Sequence, residues 1–191
     1  MTSIAQSFVA RSLAGRSRSR RVTALGIVAF AAAVAAASQI AIPLPGTPVP
    51  LTLQPLLVVL AGMWLGPTAG AASLLLYLAA GAAGLPVFTP LGAPGVARFL
   101  GPTGGYLLAY PAAAFVAGAG ARRARALGGR WIAAAAGMLV IYLGGIAQLS
   151  VLTGSVTRAV VLGAAPFAAL DLIKAFVAAA VSDPRLARRG A

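Results

Sequence analysis

The sequence predicts an all-α integral membrane protein: a bundle of six transmembrane helices with both termini in the cytoplasm. Three observations carry this. Of 191 residues, 60% are hydrophobic and only 9% charged, against about 45–50% apolar and 25% charged in soluble domains. Twelve of the fifteen cations fall in three clusters: Arg11, Arg16, Arg18, Arg20 and Arg21; Arg122, Arg123, Arg125 and Arg130; and Arg185, Arg188 and Arg189. The stretches 22–97, 99–121 and 131–157 carry no charge at all. A nucleic-acid surface would mix its basic residues with polar and aromatic ones. Here the clusters bracket apolar runs, as cytoplasmic anchors bracket spans of a lipid bilayer, so a multi-pass protein of the cell (plasma) membrane is expected and no nucleic-acid partner.

A helix needs about 20 apolar residues to cross a hydrocarbon core of about 30 Å, so the uncharged run 22–97 must hold several spans. The first is expected over 23–42, after an arginine-rich tail at 1–22. Pro43, Pro45, Pro48 and Pro50 stop it, because prolines so closely spaced cannot continue a helix. The second is expected over 54–66, beginning near Pro55, and the third over 68–84, beyond the Gly66-Pro67 turn. Segment 85–103, with Pro86, Pro90, Pro94 and Pro102, reads as a long loop or re-entrant segment. The fourth, fifth and sixth spans are expected over 104–121, 131–152 and 166–182, within a membrane domain of 23–182, and a basic tail closes the chain over 183–191. An even count puts all three arginine clusters inside and leaves 43–53, 85–103 and 153–165 facing outward. Ser19, Arg20 and Arg21 ahead of an apolar run also resemble a twin-arginine export signal. Such a signal delivers a soluble domain and the sequence shows none, so these arginines read as anchors.

Cysteine and histidine are absent. That excludes disulfides, thiolate metal sites, and cysteine or histidine nucleophiles and bases, so neither a metal nor a catalytic set is expected. The only carboxylate side chains are Asp171 and Asp183. Asp171 and Lys174 lie three apart in the sixth span, on one helix face, where they pair. Each ion costs about 2.5–3.5 kcal/mol near mid-bilayer. Two readings stand: a salt bridge that locks helix packing, or a polar face in a ligand cavity toward the outer half of the membrane. Arg98, the one charge in loop 85–103, either snorkels to headgroups or binds a carboxylate in bidentate fashion. Arg158 reads as surface. Thr52, Gln54, Tyr106, Tyr142 and Gln148 are candidates to line the same cavity, or interhelical glue.

Ala29, Ala33 and Ala37, with Ala32 and Ala36, put a small-residue face on the first helix. It serves either packing within the bundle or docking of another membrane subunit. Gly62, Gly66 and Gly70 repeat that spacing beside a tight turn.

Several of these segments are similar to one family. Pro48-Val49-Pro50-Leu51-Thr52-Leu53-Gln54 resembles the stretch ahead of the second helix in the BioY family, the biotin-specific substrate-binding (S) subunits of energy-coupling-factor (ECF) transporters. Gly84-Leu85-Pro86-Val87-Phe88 and Leu100-Gly101-Pro102-Thr103-Gly104-Gly105-Tyr106 resemble its most distinctive segments, and Asp171-Leu172-Ile173-Lys174 its motif in the sixth span. The resemblance covers roughly 23–182. It implies a six-helix S-component that captures biotin from outside and releases it inside by toppling or rotating within a complex. Asp171 would accept from a ureido N–H, Lys174 would donate to the ureido carbonyl, and Arg98 would face the valerate carboxylate. One departure is Gln148, where the family pattern has an aromatic side chain nearby.

No phosphate-binding loop occurs in the chain. No cofactor is expected, and ATP would be used only by partners: a transmembrane coupling subunit and two ATPase subunits, with the alanine face of the first helix as docking candidate. The competing readings are an S subunit of the same fold for another small vitamin, a non-catalytic membrane scaffold, and a membrane enzyme, which Asp171 and Lys174 alone could hardly equip.

Overall fold

A computed structural model describes residues 2–183, with side chains described from residue 20 onward. The basic tail beyond Asp183, with Arg185, Arg188 and Arg189, lies outside the described residues, as do the side chains of Arg11, Arg16 and Arg18. The described chain is helical apart from a small ribbon and the loops: α1 (Thr2–Ser38), β1 (Ala41–Ile42), β2 (Leu51–Thr52), α2 (Gln54–Leu65), α3 (Pro67–Ala82), α4 (Gly104–Arg123), α5 (Leu127–Thr153), α6 (Val156–Gly163) and α7 (Ala168–Val181). A 3-10 turn, Gly95–Leu100, sits inside the long loop.

The helix α1 continues through the arginine-rich segment and stops at Ser38, short of the expected residue 42. Proline disfavours helix in the residue before it, and Pro43 comes directly after Ile42. The chain instead turns to extended backbone, where Ala41 pairs with Thr52 and Ile42 with Leu51 in an antiparallel ribbon. Pro55 lies in the first turn of α2 and Pro67 opens α3, where a missing N–H costs nothing. Between them Gly66 takes φ +87°, a conformation that L side chains adopt rarely.

Segment 153–165, expected as a connecting loop, contains α6. The Ser155 hydroxyl accepts the Arg158 N–H at 3.3 Å and caps its first turn. A bend of 57° separates α6 from α7, with Pro166 in the break. Among the described residues, Arg20–Ser38 and Leu127–Thr153 are long and apolar enough to cross a membrane alone, and α6 with α7 makes a third crossing if the bent pair is one span. Helix length and composition thus account for two or three crossings, against the six expected.

Packing is closest where backbone meets backbone. A Cβ on Gly62 of α2 would lie 1.8 Å from the Ala114 carbonyl oxygen of α4, so these helices touch without side chains between them. The contact extends the role of Gly62 beyond the adjoining turn. The core around it holds Val58, Val59, Leu74, Ala113, Ala117 and Ala134. On α1, Ala31, Val34 and Ser38 turn inward, while Ala29, Ala32 and Ala36 are exposed and Ala33 and Ala37 half-buried.

The two ends of the bundle differ. At one end Leu65 lies against Gly26 of α1, and Arg122 at the end of α4 lies against Gly66. Arg130, entering α5, donates to the hydroxyl and carbonyl of Ser182 just past α7. The ribbon, the long loop and the C-terminal end of α1 gather at the other end, where Ser38 reaches Val87.

Candidate functional site

A cavity with about 640 Å³ of empty space, its open mouth included, lies at the end remote from Arg122 and Arg130. Its walls come from the ribbon, the long loop and helices α2 to α7.

The α7 wall carries the ion pair. Lys174 Nζ lies 2.7 Å from Asp171 Oδ1, with the two side chains 12% and 8% exposed. Taking such ions out of water costs several kcal/mol each unless the remaining valences are met. Here they largely are: the Tyr142 hydroxyl of α5 donates to Asp171 Oδ2 at 2.5 Å, and Lys174 also donates to the Thr52 carbonyl of β2 at 2.8 Å. Asp171 further gains from the first turn of α7, where the helix dipole favours a carboxylate. An ammonium has three donors, and two are used. The pair therefore offers one N–H donor beside carboxylate lone pairs, which suits a ligand presenting a carbonyl and an N–H side by side.

Elsewhere on the wall, Gln54 is buried in the first residue of α2 and donates to the Tyr77 hydroxyl at 2.7 Å. Tyr106 of α4 donates to the Gly163 carbonyl at 2.9 Å and fixes the end of α6.

Arg98 is 5% exposed. Its Nη1 donates to the Thr89 hydroxyl at 3.2 Å and to the Leu91 carbonyl, and its Nη2 donates to the Thr89 carbonyl. The guanidinium also lies 6.0 Å from the centre of the Phe88 ring. Burial lowers its pKa, yet a guanidinium stays charged in proteins. Three Nη hydrogens thus hold the loop, so the fork is not free for the bidentate carboxylate contact, one of its two readings from the sequence. The Nε remains buried without a partner, a state that costs about 1–3 kcal/mol.

The six residues singled out for the ligand, Asp171, Lys174, Arg98, Gln54, Tyr106 and Tyr142, all lie on the wall of this one cavity, as does Thr52. Gln148 does not line it. Its amide donates to the Phe99 and Gly101 carbonyls at 2.7 and 2.8 Å and anchors the long loop to α5. Arg158 is exposed. Sequence reasoning missed Tyr77, Tyr110, Phe88 and Thr89, which line the cavity too. A signal existed: the chain has four tyrosines, and all four face this cavity. Arg98, Lys174 and Asp171 leave its wall with one uncompensated positive charge, which favours an anion.

Comparison with known proteins gives a consistent set of likenesses. The profile of the BioY family matches residues 11–190. A protein of Pyrococcus horikoshii named "Probable biotin transporter BioY" is 40% identical over 133 residues, 70% of this chain and 78% of that one. The "Biotin transporter BioY" of Thermotoga maritima is 36% identical over 131 residues, 69% of this chain and 77% of its own. A crystal structure described as the S-component for biotin from an ECF-type ABC transporter superposes with a TM-score of 0.81 at 27% identity, covering 90% of this chain and 93% of that one.

Proposed function

Because the chain belongs to the BioY family and is a transport protein rather than an enzyme, we propose that it captures biotin in the cavity between the ribbon, the long loop and α7. The observation that carries this reading is a paired acceptor and donor, Asp171 and Lys174, sharing one cavity with the uncompensated Arg98. Biotin has matching parts: a ureido group with N–H and C=O adjacent, an apolar bicycle, and an anionic tail. Asp171 accepts from the ureido N–H and Lys174 donates its remaining N–H to the ureido oxygen. Gln54, Tyr106 and Tyr142 shape the wall between. Arg98 supplies its positive charge to the carboxylate.

In the membrane the chain makes six passes, α1, α2, α3, α4, α5 and the bent pair α6–α7, with both termini in the cytoplasm and the cavity outward. The gathering of Gly26, Gly66, Arg122 and Arg130 at one end of the bundle supports this order, as does the positive-inside preference. Energy comes from partners, a transmembrane coupling subunit and two ATPases, with the open side of α1 around Ala29, and the flanking Ala33 and Ala37, as the docking face.

Calorimetry on the detergent-purified subunit tests the reading. Biotin is expected to bind stoichiometrically without ATP or partners; absence of heat and of retained label at micromolar biotin would sink it, and tighter binding of another vitamin would identify the same fold with a different cargo. In cells supplied with the coupling module, Ala29→Trp is expected to abolish uptake while binding persists.

A further inference from the structure

The last residue of α1 and its neighbour Gln39 are bonded to the part of the long loop that roofs the cavity. Ser38 is fully buried, and its hydroxyl lies 2.6 Å from the Val87 carbonyl oxygen and 2.7 Å from that of Ala35. One hydrogen is shared between them. The Gln39 amide lies 2.8 Å from Ser38 Oγ, 3.3 Å from the Pro86 oxygen and 3.2 Å from both the Phe88 and Ala35 oxygens. Three successive loop carbonyls, those of Pro86, Val87 and Phe88, are therefore held by two side chains 47–49 positions away in sequence.

These carbonyls lead directly into cavity wall. The Phe88 ring sits edge-on against Tyr77 at 5.5 Å and against Phe99 at 5.7 Å. Phe88 and Thr89 both line the cavity, and Arg98 grips the next turn through Thr89 and Leu91. A continuous set of contacts thus runs from the end of α1 through Pro86–Phe88 to Arg98. Much of α1 is exposed, and these polar bonds join the buried Ala31 and Val34 in fixing its end to the bundle.

We propose that Ser38 and Gln39 are positioning residues that pin the cavity roof to α1, so that the rate at which ligand leaves is set at the C-terminal end of that helix. Neither residue touches the ligand. Displacement of α1 against the bundle strains these bonds and loosens Phe88 and Thr89, whereas an undisturbed α1 keeps the roof closed. Taking the ligand to be biotin rests on the proposed function; the pinning itself does not.

The test exploits Gln39, which is exposed and contributes only its donors. Gln39→Glu keeps the size but sets a carboxylate oxygen against the Pro86 and Phe88 carbonyls, and Gln39→Lys restores donors. The purified subunit and its Ser38→Ala, Gln39→Glu, double and Gln39→Lys variants are compared by amide hydrogen exchange without ligand and by release of radiolabelled biotin. In Ser38→Ala/Gln39→Glu, exchange at residues 87–92 is expected to rise and biotin to leave about tenfold faster, with association unchanged within about twofold, the usual partition when a closed state is weakened. Gln39→Lys is expected to behave as wild type. Wild-type exchange and wild-type release in the double variant overturn the proposal, as does a Gln39→Lys variant as fast as Gln39→Glu. If the wild-type subunit holds no biotin, the functional reading fails separately and the exchange data alone decide the pinning.

Discussion

Asp171 and Lys174 are each other's counter-ion, and each also has a neutral partner on another element: Tyr142 for the carboxylate, Thr52 for the ammonium. Removing one ion leaves the other buried and uncompensated, which costs about 2–5 kcal/mol in comparable recognition sites. Asp171→Asn and Lys174→Ala are accordingly expected to weaken biotin binding by about 30-fold to several thousand-fold in calorimetry, since about 1.4 kcal/mol is tenfold. A packing lock predicts a different pattern, lowered Tm with affinity retained, and the pair Asp171→Asn/Lys174→Met separates the two, because it removes both charges together. Asp171 and Lys174 were legible in the sequence because a charge in an apolar helix is conspicuous and a spacing of three fixes the face. Tyr77 was not, because one hydroxyl in an apolar helix does not interrupt its hydrophobic pattern. The engagement of Arg98 was also hidden: the carbonyls of Thr89 and Leu91 that hold it belong to backbone, which no residue type announces.

At the scale of elements, proline and glycine carried most of what could be read. They mark the ribbon after α1, the α2–α3 turn and the long loop. They did not mark α6, because Val156–Gly163 has eight residues and a search tuned to spans of about 20 residues passes over it. Its cap, Ser155, comes directly after Gly154 at φ +66°, a helix stop and start within two residues. The glycines on helix faces mean different things, and substitution separates them. A Cβ at Gly62 would enter the α4 backbone, whereas one at Gly128, in the first turn of α5, meets nothing within 4 Å. Gly62→Ala is therefore expected to lower the Tm of the detergent-solubilised subunit, by about 1–3 kcal/mol in stability for an overpacked contact. Gly128→Ala is expected to leave Tm unchanged or raise it, alanine being the better helix former by about 1 kcal/mol. Equal effects at the two positions would mean that α2 and α4 are not in backbone contact.

For the molecule as a whole, charge speaks to orientation where helix length does not speak to crossing number. The helices α2 and α3 have 12 and 16 residues, roughly 18 and 24 Å at 1.5 Å per residue, below the hydrocarbon thickness of about 30 Å. Short helices are tolerated by local thinning of the bilayer at modest cost per ångström. On the proposed six-pass order a length threshold undercounts them, and the tight turn at Gly66, with Arg122 lying against it, is where the chain would reverse. With Arg122 and Arg130 held at one end of the bundle, the two faces of the protein should be chemically distinguishable in a living membrane. The chain has no cysteine, so single cysteines report without background. Ala93, exposed in the long loop, and Ala126, exposed between α4 and α5, flank α4. An impermeant maleimide applied to intact cells is expected to label Ala93→Cys and to reach Ala126→Cys only after permeabilisation. Labelling of both from the same side would remove α4 as a crossing and with it the six-pass order. The reverse pattern would keep the passes and turn the cavity inward, where it has no use for capture from outside.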